Sequence, residues 1–151
     1  KMQMISPSEV VDLILHLLRY RLESGNLNVV VHRKKPLPQI QIDPEQIREV
    51  LVSLIINACE AMGNSGRIDI YEEEGRVKDM GDVVFIRLAD NGPGIPDSIK
   101  EKIFQPFFTT KEEGTGLGLA IAERIIKKHR GSLRVESREG KGTTFIITLL
   151  R

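Results

Sequence analysis

The chain has 151 residues, with 22 Lys and Arg residues against 21 Asp and Glu residues. This length predicts one domain over residues 1–151, and the lack of a basic excess argues against a nucleic-acid partner. Cys59 is the only cysteine, which excludes an intrachain disulfide and a cysteine metal cluster, and no apolar run approaches the roughly 20 residues of a membrane span. We therefore expect a cytoplasmic domain that makes no membrane contact itself, although its parent protein could be membrane-anchored.

Two helices with the same start signal are predicted in the first half of the chain. The run Ser6-Pro-Ser-Glu is typical of a capping box, and the helix behind it is expected to continue to Ser24. Leu27–His32 then predicts a strand. The run that begins at Asp43 opens the second helix, in which apolar residues recur at i, i+3, i+4 and i+7.

In the second half of the chain the apolar period changes to two. Strands are predicted from Ile68 onward and over residues 83–89, and the second of these is apolar on both faces, so we expect it to be central and covered. A short helix is predicted at residues 97–103 and a third long helix at residues 117–128. Alternation over residues 133–149 predicts a closing hairpin. Helices and hairpins in this order predict an α+β fold, with a sheet that has helices on one face.

Three glycine clusters occupy predicted loops, at residues 90–94 (DNGPG), 114–119 (GTGLGL) and 140–143 (GKGT). Glycine permits positive φ and close approach of the backbone to a ligand. The middle cluster opens a helix, whose free N–H groups can hold phosphates, although a glycine cluster alone is more commonly an ordinary turn. Neither the dinucleotide-binding spacing nor the P-loop spacing is matched. A phosphate site here would therefore be of another kind.

A stripe of polar residues interrupts the apolar second helix. Ser53, Asn57 and Glu60 lie at i, i+4 and i+7, which places them on one face. Asn is unfavourable inside helices, and a buried amide without a partner costs about 1–3 kcal/mol. Two interpretations remain open for this stripe, a structural side-chain bond to a neighbouring strand or a ligand site.

The order of these motifs carries more information than any one of them. They run Asn57-x-x-Glu60, Asp90-x-Gly92-x-Gly94, Phe104-x-Pro106-Phe107-Phe108, Gly114-x-Gly116-x-Gly118 and Gly142-Thr143-x-Phe145. This series resembles the catalytic ATP-binding domain of sensor histidine kinases, within the superfamily of gyrase, heat-shock chaperone, histidine kinase and MutL proteins. The resemblance covers nearly the whole chain. It implies a two-layer α/β sandwich in which a mixed sheet is backed by three helices.

The resemblance also implies ATP and Mg²⁺ as ligands. Asn57 is expected to bind the metal through its amide oxygen and, with Glu60, to form the catalytic pair. Asp90 is expected to accept a hydrogen bond from the adenine amino group, and Thr143 to reach the same edge through water. The full set of residues expected to contact ATP is Asn57, Glu60, Ala61, Asp90, Gly92, Gly94, Ile95, Lys111, Thr115, Gly116, Leu117, Gly118, Leu119 and Thr143.

Two further expectations concern the lid between Pro106 and Gly116. Lys111 is the expected charged phosphate contact within it. Phe107 and Phe108 resemble the phenylalanine motif at its root, although packing in the core is an equally open role for Phe108. The lid is short, which resembles the nitrogen-regulatory and sporulation-type sensor kinases.

Two positions depart from the family pattern. Many histidine kinases have a second Asn where this chain has Ser53, and a basic residue where it has Glu60. Gyrase-like ATPases place a Glu at the position of Ser53. A neutral hydroxyl is a poor general base, so the chain is expected to hydrolyse ATP slowly.

The phosphate acceptor of such kinases is a histidine on a separate dimerisation domain, and His16, His32 and His129 do not match its context. The chain is therefore expected to bind Mg-ATP and donate the γ-phosphoryl to a histidine on the parent's dimerisation domain, for onward transfer to a response regulator. His16 and His129 are expected to be structural. The alternatives are an ATPase or serine kinase of the same superfamily, or a non-catalytic binding module gated by ATP.

Overall fold

The computed structural model describes residues 1–63, 65–109 and 116–151. In chain order the elements are β1 (Gln3–Ile5), α1 (Pro7–Ser24), β2 (Leu27–His32), β3 (Ile40–Ile42), α2 (Pro44–Ala61), β4 (Gly66–Val77), β5 (Gly81–Asp90), α3 (Asp97–Lys100), α4 (Gly118–Lys128), β6 (Ser132–Arg138) and β7 (Gly142–Leu150). No helix in these ranges is both long and apolar enough to cross a membrane.

A five-stranded mixed sheet forms one layer of the molecule, with strand order β2-β4-β5-β7-β6. β2 pairs with β4 in parallel and the other three pairs are antiparallel. β5 is the central strand, as its apolar sequence predicts. β1 and β3 form a separate two-stranded antiparallel sheet.

The three long helices pack in one layer against this sheet, so the predicted α+β sandwich is confirmed. α2 lies between α1 and α4. Its apolar face, which includes Ile47 and Val50, is fully buried against sheet residues such as Ile68, Ile70 and Ile86. Side chains alternate between the faces of each strand, so every second strand residue points toward the helices.

Side-chain caps explain where the first two long helices begin. The Ser6 hydroxyl accepts a hydrogen bond from the Ser8 N–H at 3.2 Å, and the Asp43 carboxylate accepts from the N–H groups of Glu45 and Gln46 at 3.1 and 3.3 Å. These caps satisfy N–H groups that a helix leaves without an internal partner. Both starts agree with the prediction.

His129 has the structural role predicted for it. The side chain is buried, its Nδ1 lies 2.8 Å from the Ile125 carbonyl oxygen, and its Nε2 accepts from the Asp43 N–H at 3.0 Å. Since the Ile125 carbonyl can only accept, the proton is on Nδ1. The imidazole therefore joins the end of α4 to the start of α2.

The structure differs from the predictions mainly in short elements. The helix predicted at residues 97–103 ends at Lys100 and is followed by turns, and β1 and β3 were not predicted. Three-residue strands are too short to show a period in the sequence. β4 runs on to Val77 because its charged second half pairs with β5, up to the turn at residues 78–80.

A buried ion pair holds the β2 side of the sheet to α1. Glu72 points toward the helices, its side chain is fully buried, and it accepts from Arg33 Nε at 2.9 Å and Nη2 at 2.5 Å. The Ser8 hydroxyl donates to the same carboxylate, and Asp12 accepts from the other side of the Arg33 guanidinium. These hydrogen bonds, with the Asp12 bond the largest single cause, raise the pKa of Arg33 and hold it charged.

Candidate nucleotide site

Asp90 ends the central strand on the helix-facing side of the sheet. It lies beside Ile68 on one neighbouring strand and Thr143 on the other. Burial raises the pKa of its half-buried carboxyl, while hydrogen bonds from the Gly92 and Thr143 N–H groups act in the opposite direction. The Gly92 N–H donates at 2.9 Å. Among the described residues no cation pairs with this carboxylate, so it can accept a hydrogen bond from a ligand.

The loop after Asp90 is tightly packed at two of its glycines, and the second of them requires glycine. A Cβ at Gly92 would lie 3.1 Å from the Asp90 carboxylate and 3.2 Å from Met62 Cγ. A Cβ at Gly94, where φ is 78°, would lie 2.0 Å from the Arg138 carbonyl oxygen. The loop therefore runs between the end of α2 and the end of β6.

Hydroxyl groups lie next to Asp90 on this edge of the sheet. Thr143 is buried, and its Oγ1 lies 2.9 Å from Ser137 Oγ. The same Ser137 oxygen accepts from the Ile95 N–H at 2.8 Å and donates to the Gly142 carbonyl at 2.9 Å. Ile95 and Thr143 are thus joined through one serine, and Thr143 lies beside Asp90.

The polar stripe of α2 connects this edge to the start of α4. A Cβ at Gly118, the first residue of α4, would lie 2.8 Å from Ser53 Oγ. At the other end of the stripe, a Cβ at Gly92 would lie 3.7 Å from the Ala61 carbonyl carbon. Eight residues of helix separate Ser53 from Ala61, which is about 12 Å at 1.5 Å per residue. The half-buried Asn57 and the exposed Glu60 lie between these two points.

The residues flanking the lid meet directly. The Phe107 N–H donates to the Gly116 carbonyl at 2.9 Å, and a Cβ at Gly116 would lie 2.3 Å from the Phe107 carbonyl carbon. Phe107 itself is 75% exposed, whereas Phe108 packs against the core. Of the two roles left open for Phe108, the structure shows core packing.

The α4 terminus has the features of an anion site. Leu117 is its N-cap residue and supplies no side-chain acceptor to the first turn. The N–H groups at a helix start carry partial positive charge and bind phosphates. Leu119 packs its side chain against the core, so only its backbone faces this terminus. Lys111 and Thr115, together with Gly114, lie outside the described residues.

The structure therefore brings the expected residues into two groups. Asp90, Gly92, Gly94, Ile95 and Thr143 gather at the end of the sheet, with Ala61 beside Gly92. A second group gathers at the start of α4, and its members are Gly116, Leu117, Gly118 and Leu119. Asn57 and Glu60 lie on the helix that joins the groups.

This arrangement fits ATP and Mg²⁺. At the end of the sheet, Asp90 offers a hydrogen-bond acceptor, and the glycine loop lets a ligand approach the backbone. The N-terminus of α4 offers N–H donors for phosphates. Mg²⁺ binds phosphate oxygens and waters and needs few protein ligands, which suits one amide oxygen from Asn57.

Sequence reasoning missed Ser137 and Met62. Ser137 alternates with the core residues Leu133 and Val135 along β6, so a polar side chain at that inward position was a signal that could have been used. Met62 carries no such signal, because its position beside Gly92 depends on how α2 ends against the loop.

A family profile described as "Histidine kinase-, DNA gyrase B-, and HSP90-like ATPase" matches residues 42–151. The chain belongs to this family. A solved structure, the catalytic domain of histidine kinase ThkA, has a TM-score of 0.87 and 33% identity, and the match covers 99% of this chain and 95% of that chain. The resemblance to sensor histidine kinases and the predicted fold are thus confirmed.

Two further comparisons concern longer proteins of the kinase family. Sensor histidine kinase ZraS from Salmonella typhimurium is 36% identical over 148 residues, which is 98% of this chain and 31% of that protein. Histidine kinase ThkA in complex with response regulator protein TrrA matches with a TM-score of 0.82 and 30% identity, covering 98% of this chain and 41% of that chain. The chain spans less than a third of the length of ZraS.

Proposed function

We propose that this chain is the catalytic domain of a sensor histidine kinase over residues 1–151. It binds Mg-ATP and donates the γ-phosphoryl to a histidine on the parent's dimerisation domain, for onward transfer to a response regulator. The observation that supports this most is the stripe on α2. One helix carries Asn57 midway between a carboxylate that suits adenine and a helix terminus that suits phosphates.

The residues at the end of the sheet recognise the adenine base. The Asp90 carboxylate accepts from the adenine amino group, and Thr143 adds a second polar contact through water. Gly92, Gly94 and Ile95 lie along the base, because a glycine loop brings the backbone close to a planar ligand. Burial of the carboxylate strengthens this hydrogen bond, since less water competes for it.

The residues at the start of α4 and in the lid position the phosphates. The N–H groups of Gly116–Leu119 donate to phosphate oxygens, and Lys111 and Thr115 add contacts from the lid. Asn57 orients the metal through its amide oxygen, and the metal supplies charge neutralisation on the phosphates. Transfer of a phosphoryl group depends mainly on such positioning and charge stabilisation. Glu60, on the same stripe, is placed to hold a metal-bound water or to accept a hydrogen bond from the nucleotide.

The partners follow from the family and from one solved complex. ThkA, a relative with the same fold, has been captured with a response regulator, which supports a receiver domain as the final phosphate acceptor. His129 is buried in hydrogen bonds to α2 and α4, so it does not act as the acceptor. The sequence context of His16 and His32 does not match that of the acceptor either, which supports an acceptor histidine on the dimerisation domain of the parent.

Ser53 distinguishes this proposal from an ATPase. Gyrase-like ATPases carry a Glu at this position, and the Ser53 hydroxyl lies beside the first residue of α4, where a Cβ at Gly118 would be 2.8 Å from it. Hydrolysis needs a positioned water and a group that takes its proton, and a neutral hydroxyl does this poorly. Transfer to an imidazole needs no base on this domain, because the neighbours of the histidine can activate it.

The test combines the chain, a separately purified helical dimerisation domain and ATP labelled on the γ-phosphate. We expect acid-labile label on the histidine of the dimerisation domain, little phosphate release by the chain alone, and no label on the chain. Rapid phosphate release that is lost in Glu60→Gln would show an ATPase instead. Acid-stable label would show a serine kinase, and partner binding that needs ATP without any transfer would show a gated binding module.

A further inference from the structure

The helices α2 and α4 lie antiparallel and meet at two points. At one of them, a Cβ at Gly118 would lie 2.8 Å from Ser53 Oγ. At the other, the Asp43 N–H donates to His129 Nε2 at 3.0 Å. Ten residues along α2 and eleven along α4 separate these points, which is about 15 Å and about 16.5 Å at 1.5 Å per residue. The two spans match, as the spans of a closely packed antiparallel pair must.

The residues of α4 between these points lie on the same helix face. Gly118, Ala122, Ile125 and His129 occur at i, i+4, i+7 and i+11, and Ala122 and Ile125 are buried. Apolar contacts have no preferred direction, and the small residues at the start of α4 offer little side chain to interlock. A hydrogen bond has a preferred distance and angle. The His129 bond therefore sets the position of α4 along α2 more sharply than the apolar contacts do.

Both ring nitrogens of His129 are used at this junction. Nδ1 donates to the Ile125 carbonyl within α4 at 2.8 Å, which leaves Nε2 as the acceptor for α2. The side chain is 7% exposed, so water competes weakly for these bonds. The turn that follows packs against the sheet, where a Cβ at Gly131 would lie 2.1 Å from the Thr148 carbonyl oxygen. The end of α4 is therefore held by the sheet and by α2 together.

The offset of α4 along α2 affects the nucleotide site at the other end of this pair. A helix is stiff along its axis, because backbone hydrogen bonds join each turn to the next. A displacement of His129 relative to Asp43 thus displaces the start of α4 by a similar amount. The proposed phosphate donors are at that start, and the proposed metal ligand Asn57 is on α2. The offset therefore sets the distance between the phosphate donors and the metal ligand.

We propose that His129 is a positioning residue of the nucleotide site. Its bond to the Asp43 N–H holds the phosphate-binding start of α4 at the offset from Asn57 that Mg-ATP requires. This inference rests on the proposed function, since it adds a residue to the same site. His129 lies a full helix length from the phosphates, so it acts through α4 and not by contact.

Two substitutions separate the two bonds of the imidazole. Asn places an amide nitrogen near the position of Nδ1, so His129→Asn keeps a donor for Ile125 but does not reach Asp43. Gln places its carbonyl oxygen near the position of Nε2, so His129→Gln restores an acceptor for the Asp43 N–H. Ser6→Ala is the control for lost stability. It removes a buried hydrogen bond to the Leu37 carbonyl at the start of α1, on the other side of α2 from α4.

Calorimetric titration of Mg-ATP and NMR titration of adenosine, which has no phosphates, measure the effect. We expect His129→Asn to weaken Mg-ATP binding about fivefold, as loss of one phosphate hydrogen bond predicts, and to leave adenosine binding within about twofold. His129→Gln should stay within about twofold of wild type for both ligands. Ser6→Ala should lower the unfolding temperature and change neither dissociation constant.

Reciprocity of coupled equilibria gives a second test in the wild-type chain. If the His129 bond favours the offset that binds phosphates, bound phosphates must favour the bond by the same factor. Hydrogen exchange of the Asp43 amide measures this. The Leu37 amide, which donates to Ser8 Oγ at 2.8 Å, is the reference. When adenosine is replaced by Mg-ATP, exchange at Asp43 should slow about fivefold more than exchange at Leu37.

Four results would overturn the inference. The first is Mg-ATP affinity within about twofold of wild type in His129→Asn, and the second is an equal loss of Mg-ATP and adenosine affinity in that variant. The third is an equal loss of Mg-ATP affinity in His129→Asn and His129→Gln, which would show that the bond to Asp43 does not matter. The fourth is equal slowing of exchange at Asp43 and Leu37, and this measurement decides if His129→Asn does not fold.

Failure of the proposed function would look different. A wild-type chain that does not bind ATP would overturn the proposed function and this inference with it. Normal binding of Mg-ATP by the wild-type chain, with any of the four results above, would overturn the role of His129 alone.

Discussion

Two carboxylates on the helix-facing side of the same sheet have opposite surroundings. Glu72 on β4 is fully buried, and it is neutralised by the Arg33 guanidinium and by the Ser8 hydroxyl. Asp90 on the adjacent strand β5 is half-buried, and its described partners are backbone N–H groups without a full charge. Both groups are at least partly removed from water, but among the residues that the structure describes only Glu72 has a cation as its partner.

The difference shows a structural role for Glu72 and supports the ligand role that we propose for Asp90. A buried charge costs several kcal/mol unless it is paired, so evolution of a stable core favours the arrangement at Glu72. A half-buried carboxylate such as Asp90, which has no cation among its described partners, is unfavourable for folding alone. It becomes useful when a donor from outside the protein completes the hydrogen bonding, as an adenine amino group does.

Removal of the cation from the structural pair should give the largest effect. Arg33→Met leaves the Glu72 charge buried without its partner, and we expect it to lower the free energy of unfolding by about 3–5 kcal/mol. Arg76→Met is the matched control, because Arg76 forms an exposed pair with Asp82 at 3.8 Å. Such pairs contribute about 0–1 kcal/mol.

Urea denaturation of both variants measures this contrast. A loss below about 1 kcal/mol in Arg33→Met would show that the two ion pairs are equivalent, and that burial does not distinguish Glu72. ATP affinity of the folded protein should not change in either variant, since neither lies near Asp90.

The tight loop beside Asp90 should tolerate a methyl group less well than an open turn does. Gly94→Ala places a Cβ against the Arg138 carbonyl oxygen, whereas a Cβ at Gly140, which also has positive φ, meets no atom within 4 Å. We expect Gly94→Ala to lose about 2–4 kcal/mol of stability through strain and overpacking. Gly140→Ala should lose only about 1–2 kcal/mol of stability, because an alanine there must adopt a positive φ.

Nucleotide titration of the same pair completes this prediction. ATP affinity should fall about tenfold or more in Gly94→Ala, because a displaced loop costs at least one hydrogen bond, and stay within about twofold in Gly140→Ala. Equal affinities in the two variants would place the base away from the loop.

The metal contact that we propose for Asn57, at the middle of α2, offers a test of the ligand site. Asn57→Ala should weaken ATP binding about tenfold in the presence of Mg²⁺, as loss of one hydrogen bond or metal contact to a charged group predicts. Binding in the presence of a chelator should not change, and thermal unfolding should show that the domain remains folded. An equal loss with and without Mg²⁺ would assign Asn57 to the nucleotide or to the fold.

The pH dependence of stability should show the smallest effect. Burial raises the pKa of Asp90 above its ordinary value, so the folded state holds this proton more tightly than the unfolded state. The free energy of unfolding should therefore contain a contribution that falls as pH rises from the ordinary carboxyl pKa through the raised one. Denaturation at several acidic pH values should show this slope, and Asp90→Asn should remove it.

The sequence predicts the main architecture because its signals are local. Each signal involves residues close together in the chain. These signals are the caps at Ser6 and Asp43, the helical period of α2 and the alternation in the strands. The resemblance to the kinase family then explains the order of the motifs. It predicts metal binding by Asn57 and adenine recognition by Asp90. The short sheet of β1 and β3 was missed, because residues far apart in the chain form it over only three positions each.

The details of the site depend on contacts that no local pattern records. The proximity of Ser53 to Gly118 joins two helices more than sixty residues apart, and the Ser137 network joins a loop to two strands. The pairing of Glu72 with Arg33 was also not predicted, since both residues read as surface charges in the sequence. Tertiary packing decides which charges are buried and which are paired.

The most direct test of the central claim is calorimetric titration of ATP into Asp90→Asn. An amide presents a donor where the adenine amino group needs an acceptor, so we predict at least about a hundredfold weaker binding, the cost of a mismatched buried hydrogen bond. Thermal unfolding should show equal or greater stability, because a desolvated charge has been removed. An unchanged dissociation constant, or a strong loss of stability, would contradict the assignment of Asp90 to the ligand.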